Sequence, residues 1–353
     1  MASWYCTRES VKRAIGATGA SRDGLIDQHI GAASRTIDKR LGKRVAAFFP
    51  ETKTHLFDAP QCPPVSTQVL RLDEGLLSIA SLKTSNSTVT IAADDYFLEP
   101  NNTGPPYKRI EIDLGDDVAA GAVFQADDSR QRAVAVEGLW GYGDDTEAAG
   151  TVRDDPLTDS ATSLLVSDGS LIGVGQTILI GTEAIFVSGR TNAAQENTDL
   201  LDGALTATQS EVSVTVDDGS RYNAGEVILV DSERMFVESI SGNILTVIRQ
   251  YDSSVLAAHD NDTGVHVFRT LTIVRGVHGT TAAAHVQTTA ITKYAPPADI
   301  ETLCQAEAIF NYEQDRAGHS GIIGGIEGVS VNPNRLRFLW EKAIGNYGEV
   351  VFA

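Results

Sequence analysis

The residues most able to do chemistry are four histidines in the last third of the chain, His259, His266, His278 and His285. A metal site would need several of them to converge with carboxylates. His259 and His285 each end the same Ala-Ala-His step, so each reads as a fixed feature of a repeated unit rather than as a ligand. The run Asp260-Asn261-Asp262-Thr263-Gly264 resembles the start of a calcium loop but lacks the closing glutamate, and reads as a hairpin turn. GVGQTILIG and GIIGGIEG are glycine-rich, yet neither leads a strand into a helix with a phosphate-binding pattern. No GxSxG, HExxH or paired-cysteine motif occurs. The acidic pairs Asp116-Asp117, Asp127-Asp128 and Asp144-Asp145 sit in loop-like text and read as solvated turns. Trp140 and Trp340 suit a core or a subunit interface. No catalytic set, metal site or cofactor site emerges, so the expectation is a protein that is not an enzyme.

Composition narrows the partners. The chain has 353 residues, 42% of them hydrophobic, enough for two or three domains. Lys and Arg number 28 against 47 Asp and Glu, a net charge of −19. That balance disfavours tight binding to a phosphate backbone. It suits either a surface that DNA slides past or a saline environment. Cys6, Cys62 and Cys304 are odd in number and far apart in sequence, with no disulfide framework, which fits a reducing compartment. The N-terminus has no apolar signal core, and no run is long and apolar enough to span a membrane. The expected location is the cytoplasm, or a particle that leaves it.

The element that must organise the rest is Asp23 to Arg44, an amphipathic helix. Ile26, Ile30, Ala33, Ile37 and Leu41 advance in steps of four, three, four and four and share one face. Asp27, Gln28, Ser34, Arg35, Asp38 and Lys39 are assigned to the opposite face. Ser21 or Asp23 can cap its start, and Gly42 with two basic residues ends it. A short helix over 7–15, capped by Thr7, precedes it to form a helical hairpin, residues 1–50. Short Val-, Ile- and aromatic-rich segments separated by Pro, Gly and Asn then fill 51–143, expected as one small antiparallel sheet or partly open barrel. Residues 144–160, acidic and broken by Gly and Pro, read as a linker.

Residues 161–294 contain an internal repeat. SLLVSDGSLIGVGQTILIGTEAIFV (163–187) and VSVTVDDGSRYNAGEVILVDSERMFV (212–237) match as front halves. Matching tails follow at 244–268 and 271–294. The order front, front, tail, tail favours one unit (161–190 plus 270–294) with a second (209–268) inserted within it, each a small β-barrel or roll. Two side-by-side units with a fragmentary tail are the alternative. Residues 295–353 return to helix. Ile300, Leu303, Ala306 and Phe310 share one face, a glycine-rich arm follows, and a last helix begins at Pro333. The fold class is therefore α+β, a helical frame carrying a small antiparallel module and an inserted all-β module.

DGLIDQHIGAASRTIDKRLGKR followed by FFP, then PPYKRIEID, VEGLWGYG and a final helix, resembles the head–tail connector (adaptor) proteins of long-tailed bacterial and archaeal viruses. The likeness covers 1–143 and 295–353. The inserted units also resemble repeats of virion proteins with the form E-x-M-x-V, L-T-V-x-R-G, G-T-x-A-x-x-H. The resemblance implies a structural virion protein at the neck of the particle. It would form a homo-oligomeric ring, a dodecamer in the family's usual form, seated on the portal protein. The ring would present a platform to a tail completion, stopper or tail terminator protein and pass double-stranded DNA without specific binding. It further implies that Ile26, Ile30, Arg35, Ile37, Asp38, Lys39, Leu41, Lys43 and Arg44 face the ring or its lumen. Arg335, Arg337, Phe338, Trp340, Tyr347 and Phe352 would dock on the portal, and the module 155–294 would be removable. A rival function is a tail-associated or surface adhesin whose β repeats bind a host glycan or receptor.

Overall fold

The computed structural model describes residues 4–17, 19–45, 48–60, 68–115, 123–190, 196–316 and 333–347. Within these residues the chain is α+β, with four α-helices and eighteen strands in three antiparallel sheets. None of the helices is long and apolar enough to cross a membrane.

Helix α1 (Arg8–Ala14) is capped by Thr7, whose side chain accepts the Ser10 amide. Helix α2 spans Asp23–Val45. Its five periodic apolar residues are all buried, none more than 3% exposed. They pack on α3 (Ala298–Arg316) and α4 (Pro333–Tyr347), which come from the other end of the chain. Ser34 departs from the polar face assigned to it. It is fully buried, donates its hydroxyl to Ile30 O and accepts the Tyr5 amide. In α3 the buried stripe is Ile300, Cys304, Ala308 and Tyr312 with Leu303 beside it, whereas Ala306 and Phe310 are half-exposed. Four-residue steps through Cys304 and Ala308 let α3 lie close against α2, a contact bulky Phe310 would hold open.

The first sheet contains β1 (Glu51–Phe57), β2 (Val69–Thr84), β3 (Val89–Ile91), β4 (Tyr96–Glu99), β5 (Tyr107–Ile112) and β6 (Val134–Trp140). Its order is β1-β6-β2-β5-β4, with β3 pairing β2. The sequence suggests two strands where β2 runs unbroken. Asp73-Glu74-Gly75 interrupts the apolar pattern but is accommodated by register shifts against β5 and β6. Gly75 is needed there, because a Cβ would meet Gly141 O at 2.7 Å. Trp140 closes the core of this sheet and donates its indole N–H to Lys53 O.

The second sheet joins β7 (Thr146–Thr151), β8 (Ser163–Leu165), β9 (Thr177–Ile180) and β10 (Glu183–Arg190) to β17 (Thr270–Val274) and β18 (Ala290–Tyr294). Between β10 and β17 the chain makes the third sheet. Its strands are β11 (Glu196–Leu200), β12 (Ser213–Thr215), β13 (Val227–Val230), β14 (Glu233–Ser241), β15 (Ile244–Ile248) and β16 (Gly264–Val267). The orders are β7-β18-β9-β10-β17-β8 and β11-β16-β13-β14-β15-β12. In each, an isolated bridge joins the two edge strands, Val152 with Val166 and Leu201 with Val216. β7 lies inside the stretch expected to be linker. Between its terminal threonines the Glu-Ala-Ala-Gly text is poor in β-formers, and pairing with β18 holds it in place.

The second sheet is built into the frame. Ala184, Phe186, Val277 and Tyr294 share one core with α2, α3 and α4. The Arg8 amide donates to Val174 O, and Glu9 accepts the Val174 amide. Removing 155–294 would therefore open the frame's core, against the expectation that this whole module can be deleted. The third sheet can be removed more cleanly, because Arg190 and Leu271 are already antiparallel partners. Deleting 191–268 and joining the ends with a short Asn/Gly turn should leave a folded, monodisperse protein. Circular dichroism and size-exclusion chromatography check this; an aggregated product would show that the frame depends on the third sheet.

Candidate assembly surface

The histidines resolve first. Glu183, at the start of β10 and 1% exposed, accepts five hydrogen bonds. Arg275 gives two, Nε at 2.7 Å and Nη2 at 2.6 Å; His285 Nε2 lies at 2.8 Å; the Gly276 and Ala283 amides complete the set. Glu233, at the start of β14 and fully buried, does the same with Arg249, His259 and the Gln250 and Ala257 amides. The third corner of each arginine reaches a backbone carbonyl, Thr158 O or Thr206 O. His259 also meets Asp231 through Nδ1 at 2.7 Å. Burial alone would raise both carboxyls. The arginine and histidine hydrogen bonds outweigh it and hold Glu183 and Glu233 at about 2. A carboxylate with every lone pair engaged cannot reach a substrate, so these triads lock a fold. A third buried pair, Glu226–Arg269, ties the two β units together. Glu226 accepts Arg269 Nε at 2.7 Å and the amide of Gly169, which belongs to the neighbouring unit. Among the described residues, no group of three or more His, Cys, Asp or Glu side chains could hold a metal ion.

The residues assigned to a ring interface divide. Ile26, Ile30, Ile37 and Leu41 are consumed by the chain's own core, which corrects their assignment to contact with a neighbour. The reason is that α3 and α4 fold back onto the same stripe that α2 offers. Asp38 is half-buried and accepts the Tyr5 hydroxyl. Arg35 and Lys39 are exposed. The side chains of Lys43 and Arg44 lie outside the described residues.

The residues assigned to portal docking divide similarly. Trp340 is buried; its Nε1 donates to Glu307 at 2.9 Å and the Arg40 guanidinium stacks 4.4 Å over its ring. It fastens α4 to α2 and α3 and is not free to dock, a second correction. Tyr347 is half-buried, donates to Asp299 Oδ1 at 2.6 Å and packs edge-on against Phe48 and Tyr142. Burial first, and the Asp299 hydrogen bond second, push its hydroxyl well above the ordinary tyrosine value. Arg335, Arg337 and Phe338 are exposed, Phe338 at 62%. Phe352 lies outside the described residues.

Of the assigned residues that stay exposed, four are basic: Arg35, Lys39, Arg335 and Arg337. Residues 35–44 contain Arg35, Lys39, Arg40, Lys43 and Arg44 against Asp38 alone; 333–347 contain Arg335, Arg337 and Lys342 against Glu341 alone. These two segments thus hold eight of the 28 basic residues and carry +6, leaving −25 on the rest of a chain of −19. The Arg40–Trp340 contact places the two segments side by side. Each segment was legible as basic, but their juxtaposition was not. Comparison with known proteins adds no relative: no family model, curated protein or solved structure matches the chain.

Because the folded carboxyls of Glu183 and Glu233 sit below the ordinary value, their stabilisation is complete above about pH 4.5 and is lost as pH falls toward about 2. Chemical denaturation from pH 7 to pH 3 should show the β units weakening over that window. Glu233→Gln should destabilise its unit by about 3 kcal/mol at neutral pH, because Arg249 is left buried beside a neutral amide. A flat pH profile, or an unchanged midpoint for the variant, would contradict the lock.

Proposed function

We propose that this chain is a structural virion protein, a head–tail adaptor that assembles as a ring on a portal and presents a platform to the tail or stopper. The observation that carries the reading is the basic surface of α2 and α4 on a strongly acidic chain. In a head-to-tail ring each copy offers one surface to a different surface of the next. The exposed Arg35, Lys39, Arg335 and Arg337, set against a strongly acidic chain, supply that complementarity within one sequence. The acidic remainder also suits a wall that duplex DNA passes without adhering. The helical frame, with the connector-like order of motifs, is the part that would engage the portal.

The two β units are read as copies of one six-stranded barrel-like domain, the second inserted between β10 and β17 of the first. Their strand orders coincide, and their cores match position by position, as in Ile178 with Ile228, Ile180 with Val230 and Leu271 with Leu245. Their triads match as well. The first unit is anchored in the frame and the second would extend from it as a collar decoration or a brace for the tail.

Mixing the protein with its portal ring should give a multi-copy complex by mass photometry. The triple variant Arg335→Glu, Arg337→Glu, Phe338→Asp should weaken that binding about tenfold or more with an unchanged circular dichroism spectrum. The reading fails if the wild-type chain does not bind the portal, or if the triple variant binds equally well. Binding of cells or glycans by the β units would favour the adhesin reading instead.

A further inference from the structure

Cys6 and Cys304 lie 298 positions apart in sequence, yet their sulfurs are 3.4 Å apart. Cys6 sits in the bend just before the Thr7 cap of α1, and Cys304 lies in the centre of the buried face of α3. Both are free thiols, 3% and 0% exposed. Reaching a disulfide bond length of about 2.05 Å needs a closure of only about 1.4 Å, within the reach of small side-chain rotations. A cavity of about 320 Å³ opens beside them, lined by Cys6 with Trp4, Glu147, Lys293 and Glu301. The cavity gives a solute the size of hydrogen peroxide a route to Cys6, whose sulfur lies against that of the fully buried Cys304.

From this geometry we infer that Cys6 and Cys304 are an oxidisable dithiol whose disulfide staples the N-terminal segment to α3. The two thiols have different roles. The Cys6 thiol donates to Cys304 Sγ. Ser34 Oγ lies 3.4 Å from the same sulfur and can turn its single hydrogen toward it from Ile30 O. Burial alone would raise the Cys304 thiol. The hydrogen bond from Cys6, together with the polar groups around the sulfur, outweighs it and brings Cys304 below the ordinary thiol value, while the bond to Cys304 and burial raise Cys6 well above it. Cys304 Sγ accepts the Cys6 hydrogen, so Cys304 is assigned as the attacking sulfur and Cys6 as the resolving thiol.

With hydrogen peroxide as oxidant the steps balance. The Cys304 thiolate attacks one peroxide oxygen, an S–O bond forms, and the O–O bond breaks. The departing hydroxide takes the proton Cys304 released and leaves as water. Cys6 sulfur then attacks the Cys304 sulfenic acid. The S–S bond forms, the S–O bond breaks, and the hydroxyl leaves as a second water with the Cys6 proton. Two thiols lose two electrons and one peroxide becomes two waters.

The test uses the full chain with Cys62→Ser, so that only this pair remains. After brief treatment with hydrogen peroxide, denaturation and alkylation, the intact mass should fall by about 2 Da with no alkyl group added. A digest should contain one peptide pair joining Cys6 to Cys304, released by dithiothreitol, and the oxidised chain should unfold at a higher temperature than the reduced one. Adding Cys6→Ser should divert Cys304 to sulfinic acid, a gain of about 32 Da. Full alkylation of both cysteines after peroxide would overturn the inference. So would sulfinic acid at Cys304 with Cys6 present; both outcomes are read on the Cys62→Ser chain and do not depend on the second variant folding.

Discussion

The structure depends on what buries the apolar stripe of α2. Ile26, Ile30, Ala33, Ile37 and Leu41 present a continuous hydrophobic face that would be exposed on the hairpin alone. The chain covers that face with α3 and α4, its C-terminal helices, and with side chains from the second sheet. Every excursion into β structure therefore begins and ends at one core. Phe48 and Phe49 mark the exit: Phe49 stacks on Tyr5 and packs against Tyr294 at the end of β18, the last strand before the chain returns. Arg8 reinforces the hairpin through Asp27, and Lys12 bridges Asp23 to Asp252 in the turn that follows β15. Because the stripe is satisfied internally, the proposed assembly would rely on the remaining faces, among them the exposed Arg35, Lys39, Arg335, Arg337 and Phe338.

The β units rest on a different principle. Each places a glutamate in a fully desolvated position and surrounds it with arginine, histidine and two amides. Such an arrangement contributes little net stability compared with an apolar core, but breaking it leaves a buried charge without a partner. It therefore specifies register. Glu183 fixes β10 against the loop that follows β17, and Glu233 fixes β14 against the loop that follows β15. Small units with short strands need such a device, because alternation of apolar side chains alone leaves pairing slips possible. Glu226 and Arg269 extend the same chemistry to the junction between the units.

Much of the frame was legible in the sequence because helical periodicity is a local signal. The steps of α2 and the Thr7 cap follow from residues within one or two turns. Recurrence of E-x-x-F-V and Ala-Ala-His likewise exposed the repeat and tied His259 and His285 to equivalent places. What stayed hidden was set by partners distant in sequence. Ser34 is polar by type, and only Tyr5 and Ile30 explain its burial. Phe310 outweighs Cys304 on any hydrophobic scale, yet close packing on α2 selects the smaller side chain. The middle of β7, Glu-Ala-Ala-Gly, is poor in strand formers and is held by β18. Cys6 and Cys304 meet across nearly the whole chain. The inward role of Trp340 rests on Arg40 and Glu307, neither adjacent in sequence.

The central claim is that the helical frame, through the basic faces of α2 and α4, is the assembling part of the molecule, with the β units directed away from the contact. Electron cryomicroscopy of the chain bound to its portal measures this directly. The expected map shows a closed ring of copies in which Arg35 and Lys39 meet acidic surfaces of neighbouring copies, Arg335 and Arg337 meet the portal, and the third sheet extends outward. A map in which α4 faces solvent while β strands make the inter-subunit contacts would contradict it.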